Sequence, residues 1–164
     1  MVTKTYITAN LRKIERLYIS TTSVQNGLFY SKLAVIELCG WIEMSMDDIV
    51  LRLAAKRLRD PKHIKYIEKD IVKRTYGFDY ERHFLPMIEA IVGCKGIEEM
   101  NSRLDNSLIP PFIGALSALK TARDRLAHQY IKGTTLVIDA PSVTNARFPI
   151  VLSGLKNIES ELLR

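Results

Sequence analysis

At 164 residues and a formal charge of +6, from 24 Lys and Arg against 18 Asp and Glu, the chain is long enough for one domain with its own core. Its two cysteines, Cys39 and Cys94, lie 55 positions apart with no CxxC or Cys/His spacing, which argues against a zinc site and against a disulfide framework. No stretch approaches ~18 uncharged apolar residues, and the charged opening MVTKTYITANLRKIERL lacks the apolar run of a signal peptide. The sequence therefore reads as a cytoplasmic protein with reduced thiols and no membrane segment.

Apolar residues recur at helical spacing along most of the chain, so the expected fold class is all-α, an antiparallel bundle of four to five helices. A first helix is expected over Thr5 to Ser20, with Ile7, Leu11, Ile14 and Tyr18 as its stripe. SVQNGLFYS reads as the following turn, with Asn26-Gly27 at its tip. A long helix then runs from about Ser31 to Arg59 and stops at Asp60-Pro61. On it Glu37, Trp41, Met44, Asp48 and Leu51 share a face, so two carboxylates border an otherwise core-like stripe; pairing with an arginine from elsewhere is the simple explanation. A third helix spans Pro61 to about Thr75, and TYGFDY breaks it.

Beyond it, short helices are expected before Gly93 and near Ile97 to Arg103, and a stronger one from Pro110-Pro111 to about Ile131, ahead of Gly133. TTLVIDA alternates like a short strand, and one or two helices close the chain, the last from about Leu152 to Leu163. Residues 5–131 form the expected bundle core of a single domain, with 132–164 as a C-terminal extension.

The charge is local. Arg52, Lys56, Arg57, Arg59, Lys62, Lys65, Lys69, Lys73 and Arg74 stand against Asp60, Glu68 and Asp70, so this segment carries the whole net charge of +6. Such a field attracts a polyanion such as RNA, although a basic helix face can also be simply solvated. His63 belongs to that face, and His83 reads as a loop residue with no partner at useful spacing. There is no glycine-rich phosphate loop and no metal constellation, so neither metal nor cofactor is expected.

The run RDRLAHQY, residues 123–130, carries the chemistry. Phe112, Leu116, Leu119, Arg123, Leu126 and Tyr130 fall on one side of their helix, so Arg123 interrupts a core stripe and needs acceptors. Gly114, Ser117, Thr121, Asp124 and His128 fall on the other, where small residues would let a second helix approach. Asp124 lies four before His128, within reach to accept a hydrogen bond from its imidazole and fix its tautomer. Arg123 and His128 are five apart and so turned by about 140° from one another. One helix does not aim both at a single atom, but two copies about a two-fold axis would.

This Arg-x4-His spacing, with a polar residue after the arginine and the histidine at a helix end, resembles the HEPN superfamily. With Tyr130 the run looks like the Arg-x4-His-x-Tyr form of HEPN toxins that pair with a small nucleotidyltransferase antitoxin. Residues 33–53, LAVIELCGWIEMSMDDIVLRL, look like the acidic, Trp-containing second helix of some bacterial HEPN proteins.

The resemblance implies a homodimeric, metal-independent endoribonuclease of a toxin or antiviral defence system. His128 would act as general acid or base and Arg123 would fork two phosphate oxygens, while Asp124 would orient His128. The substrate's own 2′-hydroxyl would attack, leaving a 2′,3′-cyclic phosphate and a 5′-hydroxyl. Tyr130 is either a packed aromatic with its hydroxyl at the rim or a modification acceptor whose adenylylation would block RNA. The alternatives are a HEPN-like module that binds RNA, nucleotide or protein without chemistry, and a purely structural His–Asp pair at a helix end.

Overall fold

The helical spacing is realised almost throughout. A computed structural model describes residues 1–133 and 137–164 and shows, among them, six α-helices packed as a bundle and no strand. The helices are α1 (Thr5–Ser20), α2 (Val24–Arg57), α3 (Pro61–Tyr66), α4 (Leu85–Arg103), α5 (Ile109–Ala127) and α6 (Pro141–Leu162). None of the described helices is long and apolar enough to cross a membrane.

SVQNGLFYS is not a turn. Ser23 caps α2 by accepting a hydrogen bond from Asn26 N–H at 3.3 Å, so the helix starts at Val24 and Asn26-Gly27 lies within its first turn. The serine cap outweighs the turn preference of Asn-Gly, and α1 and α2 pack antiparallel across a three-residue link. At 34 residues α2 is roughly 50 Å long, and it touches α1, α4, α5 and α6. It buries Leu38, Ile42, Met46, Ile49 and Leu53 completely or nearly so, which makes it the axis of the core.

Asp60 caps α3 through Lys62 N–H, with Pro61 in the first turn. Beyond Tyr66 the backbone widens into a π-helical turn over Ile67–Ile71, then tightens over Val72–Arg74, so the expected third helix is continuous in path but not in geometry. A second π-helical turn, Tyr80–Phe84, leads into α4, which kinks at Gly93 where the sequence suggested a break. The expected strand TTLVIDA overlaps residues 134–136, outside the described residues, and residues 137–140 are neither strand nor helix.

The C-terminal segment is part of the same core. α6 runs unbroken from Pro141 in place of short helices, and it buries Val151, Leu155, Ile158 and Leu162 against α2 and α5. Its Gly154 lets Phe112 of α5 approach so closely that an added Cβ would lie 2.4 Å from the ring. Near its end the buried Glu159 receives Val2 N–H at 2.8 Å, the Met1 amine and Arg52. Burial pushes this carboxyl up, but those donors outweigh it and hold it below the usual carboxylate range.

If α6 is integral, Gly154→Ala overpacks the α5–α6 contact and lowers unfolding free energy by roughly 1–3 kcal/mol. Urea titration with a circular-dichroism readout measures it; a loss below ~0.5 kcal/mol would mean that α6 yields easily.

Candidate functional site

Helix α5 is oriented by Phe112, Leu116, Leu119 and Leu126, all buried. Arg123 continues that stripe one turn after Leu119, so its side chain is carried towards α2 and the 75–79 loop. There the guanidinium stands over the Phe78 ring, its carbon 5.4 Å from the centroid of a fully buried aromatic. Nη1 faces Glu43 Oε1 at 3.5 Å. Nε lies 2.9 Å from Asp124 Oδ1 but out of line for a hydrogen bond, and it is buried without another acceptor. Nη2 has no partner among the described residues and is not among the buried unpartnered atoms, so solvent reaches it.

The α2 side of the site is acidic and partly buried. Cys39, Glu43 and Asp47 follow one another at helical spacing, and Glu43 meets Arg123. Burial pushes the Cys39 thiol up to about 12, with Arg123 opposing and Glu43 and Asp124 adding to the rise. Burial also raises the Asp47 carboxyl to about 6, helped by the nearby Glu43 charge.

On the loop side Asp79 caps the turn through Arg82 N–H at 3.0 Å and Glu81 N–H at 3.2 Å, and it meets Lys120 Nζ at 3.3 Å. The Arg82 amide, opposed by burial and assisted by Lys120, holds Asp79 below its ordinary range. The His83 ring accepts Asp79 N–H at its Nδ1, 3.2 Å away.

Three features of RDRLAHQY differ from expectation. Helix α5 ends at Ala127, and His128 is its exposed cap residue, with φ −96° and ψ 2°. Asp124 pairs with Arg123 and has no bond to His128, because the stronger cation lies on the adjoining residue. Tyr130 lies past the helix end and is 77% exposed, so it is not a packed aromatic. Lys32 of α2 holds this departing segment by donating to the Gln129 carbonyl at 2.7 Å. Gly114, Ser117, Thr121, Asp124 and His128 share an exposed face of the single chain.

The basic segment divides in two. Arg52 is committed to Asp48 and Glu159, and Lys56 to the carbonyls of Leu163 and Arg164. Lys73 pairs with Glu68 at 3.0 Å and Arg74 with Asp70 at 2.8 Å, both at the exposed surface. Arg57, Arg59, Lys62, Lys65 and Lys69 are exposed and form no ion pair among the described residues. The segment then leads directly into the 75–79 loop, against Arg123.

The stripe of Glu37, Trp41 and Met44 is not core. Glu37 accepts from Asn10, Asp48 takes Arg52 one turn along, and Met44 is 74% exposed. Trp41 is anchored by Thr3 O at 2.9 Å and by Phe148 edge-on. Sequence reasoning missed Glu43 and Phe78 at the arginine and Asp47 beside Glu43. The signal present was the spacing of Glu43 and Asp47 on α2, each directly after a buried residue, Ile42 and Met46; nothing in the sequence marks Phe78.

No protein-family model, curated protein or solved structure matches the chain.

The folded-state Asp47 carboxyl keeps its proton up to about pH 6, against 3.8 ordinarily. Stability is therefore highest below pH 4 on this account and is lost as pH rises through 4 to 6, where the folded state binds the extra proton. With allowance for partial exposure, Asp47→Asn should stabilise by ~1–2 kcal/mol at pH 7.5 and by little at pH 4. Thermal melts at the two pH values check it; an equal effect at both would contradict the desolvated carboxyl.

Proposed function

We propose that this chain is a metal-independent endoribonuclease of the HEPN type, working as a homodimer in a toxin or defence system. The observation that carries the reading is Arg123: its guanidinium is held on two sides by carboxylates and on a third by Phe78, with Nη2 left open. A fork fixed in that way binds a phosphate oxygen with little further ordering cost, and its charge offsets what a phosphorane gains.

RNA is the favoured polyanion because the unpaired Lys62, Lys65 and Lys69 lead along one strip towards the arginine. DNA lacks the 2′-hydroxyl that acts as nucleophile. His128, exposed at the end of α5, supplies proton transfer as general acid or base. Within one chain Arg123 turns inward and His128 outward. Two copies meeting at the exposed small-residue face of α5 would build one site with residues drawn from both. The exposure of Tyr130 supports a role as acceptor of a nucleotidyl group from a neutralising partner, which would set an anion beside the site.

A second reading has one observation in its favour. Asp124 is spent on Arg123 and does not orient His128, which suits a module that binds RNA, nucleotide or a protein without cutting.

Labelled single-stranded RNA incubated with the protein in EDTA decides between them. The wild type should yield fragments ending in 2′,3′-cyclic phosphate and 5′-hydroxyl, with DNA intact. His128→Ala, which removes an exposed ring and should not change the melting temperature, should slow cutting about 10²-fold or more. Cutting by His128→Ala at the wild-type rate, or no cutting by the wild type, would defeat the catalytic reading.

A further inference from the structure

The chain between Pro61 and Tyr76 has two unlike sides. Ile67 and Val72 are buried and hold it to the core, while Glu68 and Asp70 take up Lys73 and Arg74. Past Pro61 every exposed residue is either a nitrogen-bearing side chain, Lys62, His63, Lys65, Lys69, Lys73 or Arg74, or a tyrosine. The tyrosines are Tyr66, 52% exposed, and Tyr76, 83% exposed, and neither has an aromatic partner among the described residues. Tyr80, four residues on, makes the contrast: it is buried, edge-on to Phe84 and Phe112. Tyr66 closes α3 one turn after Lys62 and on the same face. Tyr76 precedes Gly77, whose φ of +117° favours glycine and takes the chain from an exposed ring to the fully buried Phe78 below Arg123. One exposed tyrosine is ordinary. Two free rings as the only aromatic surface on a strip of cations suit a ligand that has both negative charge and flat faces.

From this pattern we infer that the segment is a binding strip for single-stranded RNA, on which Tyr66 and Tyr76 stack unpaired bases while Lys62, Lys65 and Lys69 hold phosphates. The inference rests on the reading of the basic segment as the approach for RNA, and it narrows the substrate to unpaired stretches. Lysines alone do not make that choice, because a duplex carries phosphates at least as densely as a single strand. In a duplex each base is covered above and below by its neighbours, so a tyrosine ring finds a face only where the strand is open. A lipid surface suits the strip less well. The apolar side chains of the segment are turned to the core, and none of its exposed residues is aliphatic, so little is left to enter a bilayer.

The probe is a 2′-O-methyl RNA oligonucleotide, which cannot be cut, titrated by fluorescence anisotropy as a single strand and as a duplex with its complement. The wild type should bind the single strand about tenfold more tightly than the duplex. Tyr66→Leu combined with Tyr76→Leu should weaken the single strand about tenfold and the duplex less than about twofold, at an unchanged melting temperature because both rings are exposed. Tyr66→Phe with Tyr76→Phe keeps both rings and should bind as the wild type does. Lys65→Gln with Lys69→Gln should weaken both probes alike and flatten the salt dependence. Equal wild-type affinity for the two probes, wild-type affinity in the leucine pair, or a loss in that pair shared by the duplex would overturn the assignment. So would binding to phosphatidylserine vesicles with none to the oligonucleotide. If the tyrosine pattern holds and the wild type cuts no RNA, the ribonuclease reading falls and this one stands; if the wild type cuts and the leucine pair binds and cuts equally well, the reverse follows.

Discussion

A guanidinium in the core stripe of a helix is the constraint on which the rest of this site depends. The Arg123 guanidinium is partly buried, with Nε shut off from solvent, and a charge there needs partners. The fold meets that need with Glu43 from α2, Asp124 from α5 and the Phe78 face from the loop before α4. Three separate elements are thereby tied to one side chain. What remains free is one edge of the fork.

The same constraint explains the chemistry of the surroundings. Glu43 is needed as a partner, and its charge helps drive Asp47 towards the neutral acid. Cys39 lies deep enough to remain a thiol despite the nearby cation, so the site holds a packed sulfur and not a nucleophile. Along the chain before the 75–79 loop, Lys62, Lys65 and Lys69 are exposed and have no ion-pair partner among the described residues. The α2 side of the site is acidic, and the chain leading into the 75–79 loop is basic.

The helical class was legible because apolar periodicity is a direct consequence of burying one face, most clearly in α1. Helix ends were less so. Ser23 overrode an Asn-Gly turn signal by capping α2, and α5 stopped at Ala127, leaving Tyr130 outside the helix whose period it matches. Arg123 could be picked out as an anomaly in a stripe, yet its partners could not. Glu43 comes from 80 positions away, Phe78 from a loop whose path depends on Gly77, and His83 not from a loop, as expected, but from the π-helical turn that Asp79 caps. Long-range ion pairs of this kind leave no spacing in the sequence. The polar pair visible in the sequence, Asp124 and His128, lost to the neighbouring Arg123–Asp124 pair, which has the permanent charge.

The coupling between α2 and α5 through this ion pair can be measured directly. Urea unfolding of wild type, Glu43→Gln, Arg123→Gln and the double variant forms a double-mutant cycle. A held guanidinium predicts that the double variant loses less stability than the two single losses added together, with a coupling of about 0.5–1 kcal/mol for a partly exposed pair. Strict additivity would mean that Glu43 does not hold Arg123, and the account of the site built on that contact would be wrong.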